Sequence, residues 1–265
     1  MKVRDINYHV ETFGTGPALM MLHGFTGSSV NWYPLAEQLS DNFQVILVDI
    51  IGHGNTEKPR NVSRYSMEEV VRDIKEILVQ LEIHKVNLLG YSMGGRVALS
   101  FAVTYPESVE RLILESSSPG LKTIEERINR CEADQKLARK IESNGIEWFV
   151  KMWSEIPLFS SQRRLSDDLL EKQYELRMRN DSYGLVNSLR GMGTGSQPSL
   201  WDQLQDLSMP ILIITGNEDE KFCNIAKEMT KKMKNAKNIV VNSAGHAIHL
   251  EQLQIFAKIV VDDLT

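Results

Sequence analysis

The pentapeptide Gly90-Tyr91-Ser92-Met93-Gly94 constrains this chain more than any other stretch. It follows Lys85-Val86-Asn87-Leu88-Leu89, which reads as a short buried strand, and precedes Gly95-Arg96-Val97-Ala98-Leu99-Ser100-Phe101-Ala102, which reads as a helix start. A serine between a strand and a helix must turn within very few residues. Glycines two positions on either side remove the Cβ atoms that would obstruct such a bend. The hydroxyl then stands clear of the sheet. The N–H of Met93 falls in the first turn of the helix, where unpaired donors and the positive end of the dipole favour a developing oxyanion. Alone, the motif also fits a plain strand-to-helix turn with a capping serine, so its meaning depends on partners for the hydroxyl.

The surrounding pattern is that of an α/β fold. Residues 3–11 and Ala18-Leu19-Met20-Met21-Leu22 read as strands separated by a Gly14-Thr15-Gly16-Pro17 turn, the second emptying into His23-Gly24-Phe25-Thr26-Gly27-Ser28. Phe43–Asp49, Arg111–Glu115, Pro210–Gly216 and Asn238–Val241 read as further strands, with a short helix over Trp32–Leu39. Ser66-Met67-Glu68-Glu69 is a capping box opening a helix whose Val70, Val71, Ile74, Ile77, Leu78 and Leu81 recur at three and four. Strands alternating with helices predict a mostly parallel, twisted sheet with helices on both faces. The alternation stops between about Ser118 and Gln205, where only helical patterns appear. The expected organisation is a core of residues 1–117 and 206–265, with 118–205 inserted as a helical lid over the carboxyl edge of the sheet, where open α/β sheets bind ligands.

A serine hydroxyl needs a base, and the base needs an orienting group. His246 lies on a loop just past the last strand, and Asp219 lies past the neighbouring strand end, giving the chain order Ser92, Asp219, His246. Each residue type alone is weak evidence, but all three just beyond strand ends point together to nucleophilic or proton-transfer catalysis. Glu115, Glu218 and Glu220 compete for the acidic role. His249 is expected to start the final helix, while His9, His53 and His84 are expected to be structural. His23 is expected to shape its loop, leaving the N–H of Phe25 as a second oxyanion donor beside Met93.

Composition removes several alternatives. With 25% charged residues, 42% hydrophobic residues and a net charge of −5, the chain has no basic domain suited to nucleic acid. Its two cysteines, Cys131 and Cys223, make neither a disulfide framework nor a metal-ligand spacing. The start Met1-Lys2-Val3-Arg4-Asp5 has no apolar core of a leader, and no run is long enough to span a bilayer, so a cytoplasmic location is expected.

With His23-Gly24-Phe25, Asp49 to Gly54, Gly90 to Gly94, Asp219 and Gly245-His246 in order, the chain resembles the α/β-hydrolase superfamily over its whole length. A narrower resemblance runs through lid and core. Gly90 to Arg96, Ser118-Pro119-Gly120-Leu121, Glu126-Arg127 with Arg130, Trp153 with Pro157 and Phe159, Gly193-Thr194-Gly195 with Gln197-Pro198, Trp201, and Gly216 to Asp219 with Lys221-Phe222 are similar to the MenH family. These are the 2-succinyl-6-hydroxy-2,4-cyclohexadiene-1-carboxylate synthases of menaquinone biosynthesis.

That resemblance implies a cofactor-free lyase that removes a proton beside a succinyl ketone and expels pyruvate from an enolpyruvyl ether. Ser92, activated by His246 and Asp219, would act as the base. The implied substrate carries three carboxylates, and eight of the chain's 14 arginines lie between Lys122 and Leu200. Arg96, Arg130 and Arg179 are implied as carboxylate clamps, with Arg177 able to take the place of Arg179, and Tyr91 and Trp153 as pocket walls. The second reading is a serine hydrolase acting on a small carboxylate-bearing ester or on a C–C bond beside a ketone. A hydrolase-fold binding protein would have no use for the complete set of three.

Overall fold

Apolar runs too short and too continuous to be helices pair side by side in the computed structural model, which describes Met1 to Thr265. The strands are β1 (Lys2–Val3), β2 (Ile6–Asn7), β3 (Val10–Phe13), β4 (Ala18–Leu22), β5 (Gln44–Val48), β6 (Val86–Tyr91), β7 (Val109–Glu115), β8 (Ile211–Gly216) and β9 (Ala236–Val241). Seven form one sheet in the order β3-β5-β4-β6-β7-β8-β9, in which only β3 runs antiparallel to its neighbour. Leu22 sits opposite Gly90, Gly90 opposite Leu114, and Gly216 opposite Val241. The carboxyl ends of the parallel strands therefore line up on one edge of the sheet, and the loops leaving them gather there.

The helices are α1 (Tyr33–Leu39), α2 (Met67–Gln80), α3 (Met93–Thr104), α4 (Ile124–Ser154), α5 (Asp167–Met178), α6 (Ser182–Met192), α7 (Glu220–Lys232), α8 (Ile248–Glu251) and α9 (Leu253–Leu264). Alternation along the strands separates two cores. Met20, Leu22 and Leu88 join Val70, Ile74, Val97, Phe101 and Ala226 on one face, while Leu19, Met21 and Leu89 join Trp32, Leu35, Phe256 and Val260 on the other. Each such side chain, once fully buried, contributes roughly 1.5–3 kcal/mol. As its sequence predicts, α2 opens on Ser66, whose hydroxyl accepts from the Glu69 N–H at 3.3 Å, and buries Val70, Val71, Ile74, Ile77 and Leu78.

Residues 3–11 do not form the single strand that their composition suggests. Arg4 takes φ 56°, which folds the start of the chain into the small antiparallel pair β1–β2 before β3 begins. That turn is pinned by Arg4 reaching Glu69 at 2.7 Å and Asp73 at 3.1 Å on α2, with the Tyr8 hydroxyl donating to Asp73 at 2.9 Å.

Between β7 and β8 the chain forms helices and loops and no strand. Thr123 and Glu126 cap α4 reciprocally, and Gly145, at φ 79°, breaks that helix into two arms. Ala138, Ile141, Phe149, Leu185 and Val186 give α4 and α6 a small core of their own, against which Phe25 from the loop after β4 packs. No helix is long and apolar enough to cross a membrane.

Candidate active site

Ser92 lies at the end of β6, the strand flanked by β4 and β7 within the sheet. Its backbone adopts φ 51° and ψ −106°, a left-handed bend that L residues rarely take. The bend closes because Gly90 and Gly94 lack side chains: a Cβ on Gly90 would strike the Gly94 carbonyl, and one on Gly94 would strike the Leu22 carbonyl. The Ser92 N–H donates to the Glu115 carbonyl at 2.9 Å, fixing the elbow to β7.

The loops after β8 and β9 bring the other two groups to this hydroxyl. Nε2 of His246 is 3.0 Å from Ser92 Oγ, and Nδ1 is 2.6 Å from Asp219 Oδ2. The carboxylate can only accept, so Nδ1 carries the proton and Nε2 faces the hydroxyl as an acceptor. Asp219 is itself held: it caps α7, its Oδ1 accepting from the Phe222 N–H at 3.3 Å. His246 is 1% exposed and flanked by the rings of Tyr91, Phe159 and Phe222, which exclude water from the imidazole. An imidazole so oriented can take the serine proton, and the resulting oxygen can serve as nucleophile or base.

Phe25 and Met93 both line the cavity that contains Ser92, and neither N–H is engaged by a backbone acceptor. His23 shapes the loop that carries Phe25, with Nδ1 donating to the Gly24 carbonyl at 2.8 Å and Nε2 accepting from the Ile50 N–H at 3.0 Å. Among the competing groups, Glu218 pairs with Arg164 at 2.9 Å. Glu115 and His249 form a separate buried pair at 2.8 Å beneath the elbow. His249 belongs to the short α8 rather than to α9, the final helix.

A cavity of about 410 Å³ opens over Ser92, with Arg96, Arg130, Lys122, Lys221 and Trp153 in its walls. Arg96 stands on the first turn of α3 and is only 9% exposed. One terminal nitrogen donates to the Met192 carbonyl at 2.7 Å and to Gln197 Oε1 at 2.8 Å, and no carboxylate pairs with it. Burial, followed by the charge of Arg130, brings its pKa down to about 10, with the nearby carboxylate of Asp134 acting against both. Arg130 is more exposed and shares its Nε with Asp134 at 2.8 Å. Trp153 packs against Phe25 and Phe149, both at 5.4 Å between ring centres, and its indole N–H has no partner within the protein.

Two of the expected positions lie elsewhere. Arg179 closes α5, is exposed, and lines a separate cavity with Asp49 and Asn55 rather than the one over Ser92. The arginine two positions earlier turns inward instead. Arg177 stacks on Phe159 at 5.0 Å, donates to Ser154 Oγ at 2.8 Å and to Gln162 Oε1 at 3.3 Å, and has its pKa lowered by burial. The cause is helix geometry: residues two apart on α5 face different sides, and sequence alone does not say which faces in. Tyr91 lines a second, smaller cavity of about 40 Å³ together with Arg177, Gln162, Gln173 and His249. That cavity and the larger one share Phe25 as a wall. Gln197 and Gln162 were not singled out by the sequence. Both lie far from their arginines along the chain, and the only hint was the Gln197-Pro198 pair.

Comparison with known proteins agrees with this architecture. A family described as having the alpha/beta hydrolase fold matches residues 17–253. A Bacillus subtilis (strain 168) protein bearing the provisional name 2-succinyl-6-hydroxy-2,4-cyclohexadiene-1-carboxylate synthase is 51% identical over 248 residues, covering 94% of this chain and 90% of the relative. A 2-succinyl-6-hydroxy-2,4-cyclohexadiene-1-carboxylate synthase from Enterobacter sp. (strain 638) is 33% identical, covering 89% of this chain and 86% of its own length. The structure of MenH from S. aureus superposes with a TM-score of 0.92 at 33% identity, over 96% of each chain.

Proposed function

This chain belongs to the α/β-hydrolase superfamily, and on that premise we propose that it is a carbon–oxygen lyase of menaquinone biosynthesis. The substrate is 2-succinyl-5-enolpyruvyl-6-hydroxy-3-cyclohexene-1-carboxylate, from which it eliminates pyruvate to give 2-succinyl-6-hydroxy-2,4-cyclohexadiene-1-carboxylate. The observation that carries this reading is Arg96, a buried guanidinium held only by neutral acceptors in the wall of the cavity that contains Ser92. A buried cation without a counter-charge is costly unless a ligand supplies one. A carboxylate-bearing reactant does so, and each charge-assisted contact contributes about 1.5–3 kcal/mol. The names of the relatives give the product of such a reaction, and the enolpyruvyl reactant is inferred from it.

In this mechanism His246 draws the Ser92 proton, and the serine oxygen removes a proton from the carbon beside the succinyl ketone. Charge develops on the ketone oxygen as an enolate, which the N–H groups of Phe25 and Met93 stabilise as they would a tetrahedral oxyanion. Collapse of the enolate forms the ring double bond between carbons 2 and 3, moves the existing 3,4 double bond to carbons 4 and 5, and breaks the C–O bond at carbon 5, so that pyruvate leaves as its enolate and takes up a proton. Residues 118–205 serve as the lid, carrying Arg130, Trp153 and Arg177 toward the bound reactant. The reaction takes place in the cytoplasm.

The bonded Ser–His–Asp geometry equally suits acyl transfer, so a serine hydrolase acting on a small carboxylate-bearing ester is the second reading. Intact mass of the protein quenched during turnover separates the two. Under the lyase reading the mass stays unchanged with the enolpyruvyl substrate, and nitrophenyl esters are hydrolysed poorly. An adduct on Ser92, or brisk ester hydrolysis without pyruvate release, would favour the hydrolase.

A further inference from the structure

The sequestered arginines of this protein fall into two kinds. Arg64, at the foot of α2, is surrounded by acids: it bonds Asp73 at 3.1 Å, Glu69 at 2.9 Å and Asp5 at 2.9 Å. Arg96 is buried to the same degree and Arg177 is partly buried, but neither bonds a carboxylate, the nearby Asp134 being bonded to Arg130, and the side-chain amide that each one meets is a glutamine's. Gln197 Oε1 receives Arg96 at 2.8 Å, and Gln162 Oε1 receives Arg177 at 3.3 Å. Gln197 is 0% exposed, and its Nε2 has no partner at all.

Glutamate has almost the same shape as glutamine and would bind a guanidinium more strongly, because both partners would be charged. It would also leave no buried N–H unsatisfied. At Gln197, whose amide N–H is buried without a partner, the amide is a poor choice for the fold considered by itself. Each amide does one thing an acid cannot. It fixes the orientation of the guanidinium without adding a negative charge of its own.

We propose that Gln197 and Gln162 are positioning residues that hold Arg96 and Arg177 in place while reserving the charge of both for carboxylates of the substrate. The inference rests on the lyase reading for the identity of that substrate. Anion selectivity is thus set partly by what the arginines lean on: two neutral amides leave Arg96 and Arg177 as positive charges in the walls of the two cavities, in a protein whose net charge is −5.

The test measures binding of the enolpyruvyl substrate by calorimetry in a Ser92→Ala background, where turnover does not interfere, for Gln197→Glu and Gln197→Met. Glu supplies an internal carboxylate to Arg96, and Met keeps the bulk without charge. Expected is a loss of at least about tenfold in affinity for Gln197→Glu, a loss of no more than about threefold for Gln197→Met, and a urea midpoint for Gln197→Glu no lower than the parent's. Equal losses for both variants, or undiminished binding by Gln197→Glu, would overturn the inference. Should Gln197→Glu fail to fold, Gln162→Glu beside Arg177 carries the same expectation. A wild-type protein that releases no pyruvate while the Ser92→Ala background still binds the substrate would sink only the assigned reaction. No binding in that background, with both glutamines intact, would overturn the inference as well.

Discussion

Asn180 donates its side-chain amide to the carbonyl of Thr26 at 2.8 Å, tying the junction of α5 and α6 to the loop that follows β4. Thr26 has φ 69°, an unfavourable conformation for a β-branched residue, and it directly follows Phe25. The bond holds a strained loop in the shape that presents the Phe25 N–H. Asn180→Ala should lower kcat by roughly tenfold, a fraction of what losing an oxyanion donor costs, with little change in KM. Stability should fall by only about 1 kcal/mol. Steady-state kinetics and urea denaturation read the two effects separately.

Asp219 has two duties, and substitution separates them. Asn keeps an oxygen for the Phe222 N–H at the start of α7 but no longer fixes the His246 proton on Nδ1. Asp219→Asn should cut kcat by at least about a hundredfold with the fold intact. Asp219→Ala should lose a similar amount of activity and, in addition, about 1 kcal/mol of stability with the cap. Thermal unfolding of the pair checks the distinction.

Removing two buried arginines should have different consequences. Arg96→Met removes a buried cation that no carboxylate bonds but leaves the Met192 carbonyl and Gln197 Oε1 without a donor, so stability should change by no more than about 1 kcal/mol while KM increases about 10- to 150-fold. Arg64→Met leaves the buried carboxylate of Asp73 with only Arg4 and the Tyr8 hydroxyl, and stability should fall by about 1–3 kcal/mol. Denaturation midpoints alongside KM for each variant provide the check.

Acid should destabilise the protein through His53. Burial first, and then the neighbouring His23, hold its pKa down to about 3 from an ordinary 6.5. Nδ1 faces the Ile51 carbonyl at 3.2 Å, while Nε2 is buried without a partner and has no room for a charge. The unfolded chain binds a proton that the folded protein refuses. The contribution is therefore complete above pH 6.5 and is lost as pH falls from 6.5 toward 3, at about 1.4 kcal/mol per pH unit. His23, also lowered chiefly by burial, acts in the same direction. Urea midpoints across this window should fall less steeply for His53→Gln than for the wild type.

Much of this was legible in the sequence because it is local. Gly90 to Gly94 encodes a bend that only glycines allow, and a parallel sheet carries whatever follows its strands to one edge, so Ser92, Asp219 and His246 could be brought together from chain order. The helical character of 118–205 was visible in its periodicity. What remained hidden depends on contacts between distant residues. The break at Arg4 is set by Glu69 and Asp73, the inward turn of Arg177 by the packing of α5, and the Glu115–His249 pair by the end of β7 meeting α8 only in the folded protein. Gln197 and Gln162 matter only through the arginines they face.

Release of pyruvate from 2-succinyl-5-enolpyruvyl-6-hydroxy-3-cyclohexene-1-carboxylate, coupled to lactate dehydrogenase and compared between wild type and Ser92→Ala, tests the account most directly. One pyruvate should appear per substrate consumed, and Ser92→Ala should reduce the rate by about a thousandfold or more. Substrate consumption without pyruvate, or a Ser92→Ala protein as fast as the wild type, would contradict it.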